Sequence, residues 1–404
     1  VKFSQAGIQY GKGGVVDRVT NRLVIRNARI VTENSIVEGD LLMEGGRIAA
    51  FGAAVDGAAG AEELDAGGLF LAPGFIDLHN HGRLGANVMD NKESSLETIA
   101  RGQLGHGVTG FLAGTSSMPW EQNLAAVRTV ARWRAGEREG MARCLGIYLE
   151  GNYFSMEKRG AHNPDYLRPL SMEEMEELLD AGGGAVKVVC LSPELPGAPA
   201  VIRFLRERGV VVSAAHSNAA YGEALAGINA GITQSTHTFN GMRGLDQHEP
   251  GILGAVLTDD RVICEAIADG IHLAPVILDM MLRLKGPDRI ALISDSVELN
   301  GLPQGQYQFE GHTITVSAGA IRLENGRLAG SCLSLDGAVR NMMALAGASL
   351  PQAVRMASLV PARVLGLDDV RGSIAVGKDA DIVLFDKDVN VKEVFVGAKR
   401  ERIY

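Results

Sequence analysis

Aromatic side chains are scarce in this sequence, at 5% of its 404 residues, and there are only four cysteines. Cys144, Cys190, Cys264 and Cys332 stand far apart and form no C-x-x-C pair. That spacing argues against a disulfide framework or a structural zinc knuckle, and a cytoplasmic chain with reduced thiols is the simplest expectation. Long apolar runs are missing too. The longest uncharged stretches, such as residues 102–120, are rich in Gly, Ser, Thr and Pro, so no membrane span is expected. The opening Val1-Lys2-Phe3-Ser4-Gln5 lacks the apolar core of an export signal. No internal repeat, low-complexity tract or long linker is visible. Basic residues are in deficit, 39 Lys+Arg against 48 Asp+Glu, a net charge of −9. An acidic field attracts neither phosphate backbones nor anionic lipids, so nucleic-acid and membrane partners are not expected. An anionic small substrate stays open, because a few local cations suffice for one phosphate.

What is present is a glycine-rich globular chain, 46% hydrophobic with 51 glycines. Its length allows roughly two or three domains. The first seventy or so residues read as short strands and turns. Residues 23–31 form a β-branched run, and 40–52 look like a hairpin around Gly45-Gly46. The tail repeats this texture at 377–386 and 394–397, so residues 1–73 and 371–404 are expected to share a small β-sandwich domain. Between them, over 74–370, apolar runs alternate with helical stretches. Val210–Ala215 precedes the helix-compatible 219–230, and 262–267 precedes 275–284. Strand–helix repeats of this length, with strands apolar on both faces, favour a parallel sheet or a (β/α)8 barrel.

Several of the nine histidines come directly after apolar runs, which in a parallel α/β domain are the strand ends where sites assemble. In Phe75-Ile76-Asp77-Leu78-His79-Asn80-His81 the period of two puts His79 and His81 on one side, able to bind one cation together. Alone, such a pair is commonplace. His216 ends one apolar run, and His237 ends another about one strand–helix–strand step later. The bland alternative is two satisfied interior histidines. Glu150 closes Leu145–Leu149 and Asp295 closes Ile290–Ser294. An acid at a buried strand end is costly unless it is a ligand, a proton-transfer group or a salt-bridge partner. Together these six groups form the inventory of a hydrolytic metal site. His106 reads as a helix-end or loop histidine, His312 as a surface β residue, and Met280 and Met281 as core. Ser171 reads as the cap of an acidic, solvated helix.

The segment Pro73–Gly82 resembles the strand-one signature of the amidohydrolase superfamily. Further segments narrow the resemblance to the N-acetylglucosamine-6-phosphate deacetylase family: Leu149-Glu150-Gly151, Gly160–Pro164, Thr236–Met242, Glu249-Pro250-Gly251, Ala268–His272, Leu328–Ser331 and the closing Gly372–Asp381. The resemblance runs from about residue 23 to the end. It implies an amidohydrolase-type barrel in which Glu150, His216 and His237 hold one divalent ion, with His79 and His81 completing a second site bridged by Glu150. Asp295 is implied as the general base for the attacking water and then the acid for the departing amine. His162 and His272 are implied to contact the sugar or the developing oxyanion, and Asn240 with the Gly241 backbone the substrate phosphate. Zinc is the first expectation for the metal, with iron, manganese or cobalt as alternatives. A homodimer is also implied.

Three positions depart from the family pattern. His248 stands where an Arg usually precedes Glu-Pro-Gly as a phosphate cation, and a histidine is at best a partial cation near neutral pH. Asn152 stands where proline is typical, and Gly241 where alanine is usual. The leading expectation is therefore hydrolysis of the N-acetyl group of N-acetylglucosamine 6-phosphate. Its alternatives are N-acetylgalactosamine 6-phosphate, an unphosphorylated N-acetyl hexosamine, or a cyclic amide. The relatives that hydrolyse cyclic amides often use a carboxylated lysine as the bridge, and Glu150 speaks against them. A catalytically silent metal-binding paralogue is the reading from a different class.

Overall fold

The computed structural model describes residues 22–136, 138–309 and 312–403. The first part of the β domain expected over 1–73, and the side chain of His312, therefore lie outside the described residues. The opening strand Arg22–Val31 pairs antiparallel with Ile36–Glu44, which turns back into Arg47–Gly52. The turn needs positive φ at both central positions, and Gly45 (+59°) and Gly46 (+81°) supply it. Phe70–Pro73 runs parallel to the opening strand and antiparallel to Ile382–Phe385 from the other end of the chain. That pairing stitches the two ends into one eight-stranded sheet. Alternation decides which core each residue enters. Ile382 and Leu384 join Ile25, Leu41 and Phe395 inside the sheet domain, while Val383 and Phe385 join the larger core of the central domain.

The central domain is a (β/α)8 barrel. Its eight parallel strands are Phe75–Asn80, Val108–Gly114, Arg143–Leu149, Val186–Leu191, Val211–Ala214, Ile232–Ser235, Ile263–Ala266 and Ile290–Leu292, paired in chain order. The first two are buried at every position, as strands covered on both faces must be. The barrel closes between its last strand and its first. The Asp295 amide donates to the His79 carbonyl at 2.9 Å, and Asn80 bridges in parallel to Ser296.

The helices expected over 219–230 and 275–284 form as Tyr221–Ala230 and Pro275–Lys285. Ser171 caps Met172–Gly182 by accepting from the Glu174 amide at 3.2 Å. No described helix is long and apolar enough to cross a membrane. One element interrupts the strand–helix alternation expected over 74–370. Between the eighth strand and its helix, Leu335–Ala346, four antiparallel strands from Gly305 to Ser331 form a flap around Leu299, Ile314, Val316 and Ile321. Ser331 ties the flap down, its amide donating to the Asp295 carbonyl at 2.9 Å. The flap thus leans on the barrel's closing seam.

Candidate metal centre and active site

Glu150, His216, His237 and Asp295 follow the ends of the third, fifth, sixth and eighth barrel strands, and His79 lies at the end of the first. Three of them leave their strands through the left-handed region, His216 at φ +45°, His237 at +28° and Asp295 at +48°. Such backbone costs on the order of 1–3 kcal/mol at each position and persists only where the surroundings enforce it. Here it places the side chains over the barrel mouth.

The two histidine pairs flank Glu150. His79 and His81 bring their Nε2 atoms within 3.0 Å of each other and within 3.3 and 3.0 Å of Glu150 Oε2. On the other side, His216 and His237 Nε2 are 3.2 Å apart and stand 3.2 and 3.1 Å from Glu150 Oε1. One carboxylate therefore faces both pairs. Asp295 Oδ1 lies 3.4 Å from His81 Nε2 and 3.7 Å from His79 Nε2. His162 approaches His216 through Nε2 at 3.2 Å.

The hydrogen bonding fits a cation. His216 Nδ1 sits 2.9 Å from the Lys158 carbonyl, which can only accept, so Nδ1 carries the proton and Nε2 presents its lone pair to the cluster. Burial, reinforced by His162, pushes the His216 pKa down to about 4, so the ring is neutral at ordinary pH. A neutral nitrogen aimed at a carboxylate oxygen has no proton to share. A divalent ion satisfies such a donor set of imidazoles and carboxylates. On the opposite side, burial opposes charge on His81, but hydrogen bonds to Asp295 and Glu150 win and raise it to about 9. Burial likewise opposes ionisation of Asp295, yet the charge of His79 and the His81 hydrogen bond hold it at about 2.

Two further buried carboxylates, Asp77 and Glu265, lie beneath the cluster. Asp77 accepts from the Ser294 hydroxyl at 2.6 Å, the Ser294 amide at 3.2 Å and Gln103 Nε2 at 3.1 Å, clamping the residue before Asp295 to the first strand. Glu265, on the seventh strand, accepts from His79 Nδ1 at 3.2 Å and the His237 amide at 3.0 Å. Both could have been found by the argument applied to Glu150 and Asp295, since each is an acid inside an otherwise apolar run.

The cluster opens into a cavity of about 260 Å3. Its walls include the other expected substrate contacts His162, Asn240, Gly241 and His272, with Leu328 to Gly330 of the flap opposite. His272 is oriented by Asp269, whose Oδ2 lies 2.6 Å from its Nδ1. Among the described residues no Lys or Arg lines this cavity. His248 does not line it either; it is exposed and contacts its neighbour Gln247 at 3.1 Å. Asn152 has φ +66° and donates through Nδ2 to the carbonyls of Met118 at 3.0 Å and Tyr166 at 2.7 Å. A proline ring cannot take that φ, so this loop follows a path closed to the residue usual in the family. At Gly241 a Cβ would lie 2.6 Å from His216 Nδ1.

The residues read as structural fall into place. His106 follows the helix Glu93–Leu104 and is held by Asp336 at 2.9 Å and by Arg83. Met281 is fully buried and Met280 packs beside the core. The four thiols are unpaired, and burial raises Cys144 and Cys264 to about 11, which keeps them unreactive.

Residues 70–402 match the sequence profile of the Amidohydrolase family. An N-acetylgalactosamine-6-phosphate deacetylase from Escherichia coli O157:H7 is 39% identical over 326 residues, covering 81% of this chain and 86% of the relative. An N-acetylglucosamine-6-phosphate deacetylase from Vibrio furnissii is 37% identical, covering 84% and 85%. Among solved structures, the N-acetylglucosamine-6-phosphate deacetylase of Pasteurella multocida superposes with a TM-score of 0.89 at 30% identity, covering 94% of this chain and 99% of its own. A mutant of the Mycobacterium smegmatis enzyme in complex with N-acetyl-D-glucosamine-6-phosphate gives 0.87 at 33% identity, again covering 94% and 99%.

Proposed function

Since this chain belongs to the amidohydrolase family, and within it to the amino-sugar 6-phosphate deacetylases, we propose that it hydrolyses N-acetylglucosamine 6-phosphate to glucosamine 6-phosphate and acetate. The observation that carries the reading is Glu150, with one oxygen on each histidine pair, beside Asp295 at the cavity wall. In this reading Glu150, His216 and His237 hold one divalent ion, and His79 and His81 share Glu150 to hold a second. A bound ion supplies acidification of water and polarisation of the acetyl carbonyl. Zinc is our first choice, with iron, manganese or cobalt next.

The chain's own groups do the rest. Asp295, held ionised well below neutral pH, is in the form that takes the proton from the attacking water and later returns it to the departing amine. We assign His162, beside His216, and His272, oriented by Asp269, to the sugar or the developing oxyanion. Asn240 and the Gly241 amide receive the phosphate. The apolar flap residues Leu328 and Ala329, with Val297 and Ile314, limit water around the reacting bond. We assign catalysis to a barrel over 74–370 and a supporting β domain to 1–73 with 371–404, working as a cytoplasmic homodimer.

Two observations favour neighbouring substrates. The relative with 39% identity carries the galacto name, and the absence of Lys or Arg among the described cavity residues suits an unphosphorylated sugar. The test is acetate release from N-acetylglucosamine, N-acetylgalactosamine and their 6-phosphates by metal-replete enzyme. The highest kcat/KM on N-acetylglucosamine 6-phosphate is expected. A higher value on another of the four reassigns the substrate, and no release from any overturns the deacetylase reading.

A further inference from the structure

Glu265 has no part in the reaction as drawn above, yet of the two buried carboxylates beneath the site it is the one bonded to a histidine from each pair. It is 0% exposed and lies in the seventh strand, below the cavity and outside its lining. Four donors converge on it. Oε2 takes His79 Nδ1 at 3.2 Å and the His237 amide at 3.0 Å, and Oε1 takes the Tyr148 hydroxyl at 2.9 Å and Gln234 Nε2. Burying a carboxylate is costly, and a strand interior needs none for packing. Two of its four donors belong to residues assigned to hold the metal.

We propose that Glu265 is a positioning residue of the metal centre, acting through His79 and His237. A neutral imidazole carries one proton. With that proton on Nδ1 and committed to Glu265, the Nε2 lone pair of His79 must point at Glu150 and His81. The Tyr148 ring, itself bonded to Glu265, stacks on His79 with centroids 4.3 Å apart at 28°, so stacking holds the plane of the imidazole and the bond to Glu265 selects which way round it sits. At His237 the same carboxylate captures the amide of a residue at φ +28°, holding in place the backbone turn that aims its side chain. One group thus sets the orientation of a ligand from each histidine pair. Such outer partners of ligating histidines fix tautomer and ring orientation, and their removal typically costs about 10–100-fold in metal affinity.

This inference rests on the metal reading of the site, so the experiment separates the two. Full-length enzyme and its Glu265→Met and Glu265→Gln variants are stripped and titrated with Co(II) against a chelator, recording the ligand-field spectrum and kcat and KM. Glu265→Met keeps the volume and removes every acceptor, and about 10–100-fold weaker Co(II) retention with an altered spectrum is expected. Glu265→Gln keeps one oxygen for His79 and is expected to fall between it and the parent. Folded variants with parental Co(II) affinity and spectrum overturn the inference and leave the metal reading intact. Failure of the unaltered enzyme to take up Co(II) removes the metal reading itself. Should Glu265→Met not fold, a metal-loaded crystal structure of the unaltered enzyme decides. His79 Nδ1 bonded to Glu265 with Nε2 on the ion sustains the inference, and a ring turned the other way overturns it.

Discussion

Gly151, directly after the shared carboxylate Glu150, offers a quantitative test of how tightly the site is placed. Its φ is +143°, and a Cβ built there would lie 2.7 Å from the Ser117 amide nitrogen and 2.8 Å from the Ser116 carbonyl carbon. Both obstacles are backbone, so no rotamer change relieves them. Restoring an ordinary 3.4 Å contact means moving Glu150 or the Ser116–Ser117 backbone by about 0.7 Å. The Thr115 hydroxyl, bonded to the Glu150 carbonyl at 3.1 Å, and the Ser117 hydroxyl, bonded to the Asn152 amide at 2.9 Å, couple the two segments so that neither moves alone.

Strained backbone at roughly 1–3 kcal/mol and overpacking at a similar level give about 3 kcal/mol for Gly151→Ala. At about 2.1 cal/mol/K of unfolding entropy per residue, 404 residues give roughly 0.85 kcal/mol/K, so Tm should fall by about 3–4 °C. In the proposed role of Glu150, a displacement of about 0.7 Å is past the roughly 0.5 Å tolerance of a productive site, and kcat should fall by about 30-fold to 100-fold. Gly286→Ala is the control. Its φ is +64° but nothing lies within 4 Å, and it caps Pro275–Lys285 at the opposite end of the barrel. With ψ at 170° it lies in a region nearly exclusive to glycine, so the substitution should cost about 1–3 kcal/mol, comparable to Gly151→Ala, and yet leave kcat unchanged. Scanning calorimetry and steady-state acetate release give both numbers. Parental kcat in Gly151→Ala, or an equal loss of kcat in Gly286→Ala, refutes the reasoning.

Asp295→Asn should keep its metal content by mass spectrometry while kcat falls by about 10²–10⁴-fold; unchanged turnover removes its role in proton transfer. In the metal-free protein His81 is raised to about 9, so it stabilises the fold fully below about 6.5 and loses that contribution as pH rises through 9. A cation must displace that proton at pH 7, so calorimetric metal-binding heats should depend on buffer ionisation there and much less above pH 10, and buffer-independent heats at pH 7 exclude it. Asn152→Pro, although it introduces the residue usual in the family, forbids φ +66° and removes four hydrogen bonds, three of the side chain and one of the backbone amide, and Tm and kcat/KM should both drop. Parental values for both would show that the loop can take a second path.

Much of the site is local enough to be read from sequence. His79 and His81 share a side because a strand alternates, and Glu150 and Asp295 stand out because they end apolar runs. Glu265 and Asp77 carry the same signal, an acid within an apolar run, but what they hold is visible only in the fold, where donors as distant in sequence as His79 and Ser294 meet them. The flap from Gly305 to Ser331 was illegible for another reason. Its short alternating strands look like any other β texture, and only their antiparallel pairing shows that the strand–helix rhythm has been interrupted. His248 shows the limit of carrying over single positions. The motif beside it is intact, but the path of the loop takes the side chain away from the cavity, and loop paths depend on contacts that no short segment contains.

The barrel's closing seam has a consequence for biogenesis. His79 and Asp295 are joined by a single backbone hydrogen bond across more than two hundred residues of chain, and Glu150, His216 and His237 are all synthesised between them. Contacts so distant in sequence form late, after the entropy of closing the intervening loop has been met. A nascent chain that does not yet include residue 295 can gather most of the residues proposed to hold the metal but cannot shut the ring around them. An ion that binds only the shut form then acts as a rivet, and depriving cells of that ion would be felt first at the seam, as faster amide exchange at Asp295 and Ser331, before any loss of the surrounding helices.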